Sequence, residues 1–351
     1  MADAPAIAPQ GAGIDPETVL VGIPALNEAA SIEACLRSLF TAPDWMDRVT
    51  VVVADGGSQD ATPQIVARLR RRFPRLRLIR NPERLQSAAM NRIVAKAAAP
   101  RHRTLVRCDA HALYPPNYVR RVAESLARQR SAALATVMDA RGTTGFAAAA
   151  AAIVDTKLGA GGSAHRGGIR SGAVDHGHHA GIDLAWFRRI GGYDPRFSHN
   201  EDAEFDHRLR AAGGTIWLDA TIRLDYTMRK SAAALARQYW AYGRGRAATI
   251  RKHRCRPRLR QGLPAAHALA LLGALLIAPI SPLGLIWPIA YGGLCIGVAI
   301  WATLSLRRPA GLWAGLALAL MHTAWGLGFL AGFARAPIRL SSPDHPQAKA
   351  G

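Results

Sequence analysis

Acidic side chains are scarce in this sequence, and unevenly so. Lys and Arg number 45 against 24 Asp and Glu, a net charge of +21 over 351 residues. Between Tyr226 and Pro343 there is no acidic residue at all. That balance points to phosphate-bearing partners: nucleic acid, an anionic membrane face or a sugar nucleotide. Cysteine is also sparse. Cys35, Cys108, Cys255 and Cys295 show no paired spacing, which excludes a disulfide scaffold or a zinc knuckle and fits a reducing compartment. Residues 1–17 lack the basic head and apolar core of a secretory signal, so they are expected to be a disordered lead into a cytoplasmic domain. No G-x-G-x-x-G follows a strand, and the Gly-rich 159–172 segment is too irregular for a phosphate loop. A dehydrogenase reading therefore has no support. Internal repeats are absent.

What is present is a rhythm of short buried strands and amphipathic helices. Val19 to Ile23 is an all-apolar run ended by Pro24, as in a central parallel strand. Asn27 reads as a helix N-cap, with Ile32, Cys35, Leu36, Leu39 and Phe40 on one face. Val49 to Ala54 is a second strand broken by Asp55-Gly56-Gly57, and Thr62-Pro63 opens a helix that Asp60 caps. A third strand is predicted at 76–79, a helix at 87–99 and a fourth strand at 104–108. This alternation predicts a doubly wound, mostly parallel α/β sheet. Further on, the pattern predicts a helix at 117–130, a strand at 133–138, a helix at 147–158 and a polar loop at 161–179. A helix of about ten residues after the 197–204 segment stops at Gly213-Gly214, and short strands follow at 216–218 and 222–224.

The fourth strand delivers Arg107-Cys108-Asp109-Ala110-His111. A carboxylate and an imidazole at i and i+2, just past a strand, can turn onto one divalent ion, Mg²⁺ or Mn²⁺. The carboxyl edge of a parallel sheet is also where α/β proteins hold nucleotides. Taken alone, the triplet is equally an ordinary strand-to-loop turn.

Three apolar stretches, 263–280, 283–306 and 311–333, each approach the roughly 20 residues that a bilayer core requires, with no charge before Arg307-Arg308. They are expected to be membrane helices. The basic stretch before them, 229–262, has three readings: a nucleic-acid surface, a solvated helix face, or a cytoplasmic collar under the positive-inside rule. Its position directly before an apolar helix favours the collar, with Tyr239 and Trp240 at headgroup level. The first helix leaves the cytoplasm, Pro279-Ile280-Ser281-Pro282 turns the chain, and Arg307-Arg308 brings it back. The third helix either leaves a short tail outside, against the sign of Arg335 and Arg339, or re-enters. The polar tail is 336–351.

Five motifs in order, Ile23-Pro24-Ala25-Leu26-Asn27-Glu28, Ala54 to Thr62, Cys108-Asp109-Ala110-His111, Gly191-Gly192-Tyr193-Asp194 and Asn200-Glu201-Asp202, resemble the family 2 glycosyltransferases. The resemblance covers about residues 18–245. It implies a GT-A fold at 18–228, ahead of a basic interface helix region at 229–262 and transmembrane helices at 263–335. Leu158 to Ser163 and Val174 to His179 look most like the succinoglycan-type exopolysaccharide glucosyltransferases.

By that resemblance Asp55 contacts the uracil, and Pro24, Ala25 and Glu28 wall the nucleotide-sugar pocket, although Glu28 also suits a helix first turn on its own. Asp109 binds the donor and, with His111, holds the metal; His199 is a further candidate ligand. The family's usual motif is Asp-x-Asp, so His111 is a departure. Asp202 is the expected base, with Glu201 as the alternative. His178 and His179 are assigned to the acceptor or diphosphate, as is Gln238. Gln238 stands where processive synthases carry Gln-x-x-Arg-Trp, and this chain lacks the Arg-Trp pair, which favours single-sugar transfer.

The implied enzyme inverts. It moves one hexose, glucose by the subfamily likeness, from a UDP-sugar to a polyprenyl-diphosphate-linked oligosaccharide. Its expected setting is the inner membrane of a bacterium, multi-pass, with the catalytic domain cytoplasmic. Pathway proteins are candidate partners, and nucleic acid is not expected. Two rivals stay open: transfer to polyprenyl phosphate, and a non-catalytic basic scaffold or nucleic-acid-binding module.

Overall fold

The run Val19–Ala25 forms β1, and it is buried almost throughout because helices cover both of its faces. There follow α1 (Ile32–Leu39), α2 (Pro43–Met46), β2 (Thr50–Asp55), α3 (Thr62–Leu69), β3 (Leu76–Arg80), α4 (Gln86–Ala97) and β4 (Thr104–Arg107). In the computed structural model, which describes residues 13–143 and 145–334, these four strands are parallel. Helix α1 turns Ile32, Cys35, Leu36 and Leu39 inward. Helix α4 lies so close on β1 that a Cβ at Gly22 would stand 2.8 Å from the Met90 methyl.

The second half holds α5 (Tyr118–Gln129), β5 (Ala133–Arg141), α6 (Gly145–Val154), α7 (Lys157–Ala160), β6 (Gly172–Ala173), β7 (His178–Asp183), α8 (Leu184–Arg189), α9 (Glu201–Ala211) and β8 (Ile216–Thr227). The sheet order is β3-β2-β1-β4-β7-β5-β8-β6. Strand β7 runs antiparallel between β4 and β5, whereas β5 and β8 are parallel. The chain reverses its direction of winding at β1 and β4, so the crevice beyond their carboxyl ends is the natural ligand position.

After the sheet come α10 (Ala232–His253), α11 (Leu259–Ile277), α12 (Ile286–Leu306) and α13 (Trp313–Ala334). The last three, with the short turns Pro282–Leu285 and Pro309–Leu312, are long and apolar enough to cross a membrane.

Several expectations are corrected. Asn27 is not an N-cap. It takes a left-handed φ of 56°, and its amide oxygen accepts from Gln59 N–H at 2.8 Å, so its side chain pins two loops together and α1 begins five residues later. The supposed loop 161–179 contains β6 and leads directly into β7. That strand's run His-His-Ala-Gly-Ile-Asp has no apolar periodicity, yet it is held between two partners. The two short strands near 216–224 are one strand, β8, with a register shift opposite Thr136/Val137. The helix at 147–158 splits into α6 and α7.

Residues 13–17 of the expected disordered lead are placed. Pro16–Thr18 form a 3-10 turn capped by Asp15, and Glu17 pairs with Arg75 at 2.8 Å. Residues 1–12 and the tail 336–351 lie outside the described residues. Helix α11 starts inside the stretch read as a collar, at Leu259.

Candidate active site

The carboxyl ends of β1 and β4 frame a cleft lined by Pro24, Ala25, Glu28, Asp109 and His111, with Arg84 and Gln86 on the wall toward α4. Asp55 sits beside Ala25 in the β1/β2 register and is nearly buried. Its carboxylate accepts from Gly57 N–H (2.9 Å), Ser58 N–H (3.1 Å) and Ser58 Oγ (2.6 Å), which fixes its aim within the turn. Asp60 accepts from Thr62 N–H at 3.0 Å at the head of α3 and from Ala29 N–H at 2.9 Å, tying two loops of the cleft.

Asp109 Oδ1 accepts from Gln86 Nε2 at 2.9 Å, and Tyr114 Oη holds the Asp109 N–H at 2.6 Å. Its other oxygen lies 3.6 Å from His178 Nε2. Burial alone would raise the Asp109 carboxyl; Arg107, His111 and the hydrogen bond from Gln86 oppose that, and it is held low. Burial pushes His178 down to about 4, so at neutral pH its imidazole is uncharged beside an ionised Asp109.

Glu201 and Asp202 open α9, which the Glu201–Arg107 pair brings to the end of β4. Their environments differ. Glu201 is ion-paired with Arg107 Nη2 at 2.9 Å, both side chains buried. Asp202 is only part-buried, and its carboxylate accepts from Ala203 N–H at 2.8 Å. Burial would raise the Asp202 carboxyl, but His176, His179 and Arg107 draw it down to about 2. It is therefore ionised and free of an ion pair, as a proton acceptor must be, while Glu201 is committed to Arg107.

Beneath these groups runs a buried polar chain. From Glu201 and Arg107 it passes through the Tyr193 hydroxyl (3.4 Å from Arg107 Nη1) to His179 Nδ1 (2.7 Å). It continues from His179 Nε2 to Asp206 Oδ1 (2.6 Å), and from Asp206 Oδ2 to His176 Nδ1 (2.7 Å). Burial would discharge His179, but Asp206 and Tyr193 raise it to about 10, so it is a cation paired with Asp206.

The expected residues divide accordingly. His179 is fully buried and cannot meet an acceptor: neighbouring strand residues face opposite ways, so His178 reaches Asp109 while His179 points into the core. His111 turns to Glu28, its Nδ1 3.1 Å from Oε1, and His199 Nδ1 lies 3.1 Å from Ser198 Oγ. Among the described residues no three His, Cys, Asp or Glu side chains converge in a metal-binding arrangement. The expected ligand set of Asp109, His111 and His199 is therefore not assembled by the protein alone. Gln238 donates to the hydroxyls of Tyr226 (2.7 Å) and Tyr242 (2.8 Å), so its amide is already occupied.

Known proteins resemble this chain. Residues 20–190 match the profile of Glycosyl transferase family 2. The chain is 42% identical over 314 residues to the succinoglycan biosynthesis protein ExoA of Rhizobium meliloti (strain 1021), covering 88% of this chain and 93% of that protein. The chain belongs to glycosyltransferase family 2.

A solved structure shares the fold. The mannosyltransferase PcManGT from Pyrobaculum calidifontis, in complex with GDP-Man and Mn²⁺, superposes with a TM-score of 0.54 at 22% identity, over 94% of this chain and 91% of that one. The transferase's sheet is thus of the GT-A kind, followed by three apolar helices.

Reasoning from sequence missed Gln86, Arg107, Tyr193 and Asp206 as site residues. Arg107 alone left a sign: a charged side chain ending an apolar strand has to find a buried partner.

Proposed function

We propose that this glycosyltransferase moves a single hexose, glucose, from a UDP-sugar to a lipid-diphosphate-linked oligosaccharide during exopolysaccharide assembly, while attached to a bacterial cytoplasmic membrane with its catalytic domain inside. The observation that carries the reading is the pairing of Asp109 and Asp202 around one imidazole. His178 lies 3.6 Å from the first carboxylate and within electrostatic reach of the second. Such an arrangement would let donor and acceptor functions share one cleft.

The uridine fits the wall made by Pro24, Ala25 and Glu28, with Asp55 accepting from the ring N–H. Asp109, with His111 released from Glu28, would hold a divalent cation, Mg²⁺ or Mn²⁺. The metal, when bound, offsets the charge that develops on the leaving diphosphate. Asp202 accepts the proton of the attacking acceptor hydroxyl. The new bond forms at the anomeric carbon as its bond to the diphosphate breaks, so UDP departs and the configuration inverts. The likeness to ExoA, a protein of succinoglycan biosynthesis, supports the choice of pathway and of a lipid-linked acceptor.

Membranes containing the enzyme, given radiolabelled UDP-sugars and lipid extract, should place label in a lipid-linked saccharide longer than a monosaccharide. Label confined to a monosaccharyl lipid would instead establish transfer to polyprenyl phosphate. No turnover of any donor, with Asp202→Asn and wild type equally inert, would sink the enzymatic reading.

A further inference from the structure

Helix α13 is apolar and long enough to cross a bilayer, yet it touches the catalytic domain from one end to the other. At its start, Trp313 meets Phe146 edge-on, ring centroids 6.5 Å apart. Along its first half, Ala314, Ala317 and Leu318 share a core with Ala147, Ala150 and Ile153 of α6. Midway, His322 Nε2 lies 2.8 Å from the Leu158 carbonyl oxygen of α7. At its far end, Arg251 of α10 donates to the Gly332 carbonyl at 2.8 Å.

Helices α10 and α13 also lie side by side over most of their length. Leu235 shares a core with Met321, Trp240 faces Gly328, and Arg244 and Ala247 face Gly332, so positions rise together and the helices are parallel. Glycine makes the approach possible. A Cβ at Gly243 would stand 2.1 Å from the Trp325 carbonyl oxygen, and one at Gly328 would stand 2.3 Å from that of Trp240.

Helix α10 cannot enter hydrocarbon. It carries Arg237, Arg244, Arg246, Arg251 and Lys252, and charged side chains are expelled from a bilayer centre. Its other side is fastened to the catalytic domain: Asn200 Nδ2 donates to the Tyr242 carbonyl at 2.6 Å, and Lys252 Nζ reaches Asp194 at 2.7 Å and Glu204 at 2.5 Å. A helix packed lengthwise on α10 shares its plane.

Burial separates α13 from α12. In their most apolar windows, 39% of residues are buried in the segment containing α13 and 11% in the segment containing α12. Helix α11 begins beside the catalytic domain, where Arg258 pairs with Asp175 at 2.7 Å, and α12 ends beside α6. The turn between α11 and α12 projects away from that domain, with Ile280 84% and Leu283 69% exposed.

We infer that α13 lies along the membrane surface with both of its ends on the catalytic side, and that the α11–α12 hairpin alone enters the bilayer core. The inference rests on the membrane attachment proposed above. It assigns the exposed apolar faces of α11 and α12 to lipid acyl chains. It also removes the conflict over Arg335 and Arg339, because basic residues after α13 then stay on the side the positive-inside rule prefers.

The test uses the full-length chain in the bacterial membrane, tagged at its N-terminus or its C-terminus with a fluorescent protein that matures only in the cytoplasm, or with alkaline phosphatase, active only across the membrane. Both ends should fluoresce and neither should show phosphatase activity. In parallel, a Ser281→Cys variant, made with Cys255→Ser and Cys295→Ser, should react with a membrane-impermeant maleimide on cells whose outer barrier is opened but whose inner membrane is intact. An active phosphatase at the C-terminus beside a fluorescent N-terminus would overturn the inference, as would labelling that appears only after the inner membrane is permeabilised. Recovery of the protein in the soluble fraction would remove the membrane reading itself, and the inference with it.

Discussion

The two sides of the catalytic cleft are built on opposite principles. On the side of β1, β2 and β4, the chemistry-bearing groups stand on short loops at the ends of parallel strands. Each is held by one or two neighbours: Asp55 by its own turn, Asp109 by Gln86, His111 by Glu28. On the side of β7 and α9, the groups lie in a continuous buried chain from Glu201 to His176, with His179 and Asp206 shut away from solvent. A wall held so locally can rearrange without disturbing the core, as the proposed exchange of nucleotide and cation would require. A buried network of this kind holds its members in one position and one charge state.

Substitutions can break or sharpen that contrast. The largest effect is expected from Asp202→Asn, which should reduce transfer about 10²- to 10⁴-fold while leaving UDP-sugar binding intact, read by single-turnover assay and by equilibrium binding. Loss of donor binding in that variant would contradict the division of roles.

Asp206→Asn should come next. Removing one partner of a buried ion pair costs about 3–5 kcal/mol, so the variant should unfold at a clearly lower temperature in detergent and lose activity without touching substrate. Stability equal to that of the wild type would mean that the His179–Asp206 pair does not hold this part of the core together. On the loosely held side, Asp55→Ala should weaken UDP binding about 10- to 100-fold, by loss of one charge-assisted hydrogen bond, and leave the melting temperature nearly unchanged.

Acid should discriminate as well. Burial alone would raise the Glu204 carboxyl, but His253, Arg208 and Lys252 bring it from the usual 4.5 to about 2. A carboxyl lowered on folding contributes stability that is present above 4.5 and is lost as pH falls through about 2. Thermal unfolding should therefore weaken across that window, and Glu204→Gln should flatten the dependence. The smallest change is expected from Arg120→Ala, which removes an exposed pair with Glu124 at 2.7 Å: within about 0.5 kcal/mol, with full activity.

How much of this was written in the sequence follows from what each element buries. The strands β1, β2 and β4 announce themselves because both of their faces are covered, leaving apolar runs, and Pro24, Glu28, Asp55, Asp109 and His111 lie at or just past the ends of those runs. The apolar C-terminal helices are equally plain, since lipid demands length and apolarity and nothing subtler. Strand β7 is not plain. It carries two histidines and a glycine, and only its two flanking strands make it extended.

The sequence by itself determined the family and the parallel half of the sheet, and it put Glu28 and Asp109 at the strand ends that line the cleft, because these depend on local runs and on residues adjacent to them. The tertiary structure alone decided that Glu201 is bound to Arg107 while Asp202 is free, that His178 and His179 have separate fates, and that α13 runs along α10. Each of those depends on partners between 14 and 94 positions apart in the chain, such as Tyr193 for His179 and Glu201 for Arg107. Burial and pairing set a side chain's charge and reach, and only folding brings such distant partners together.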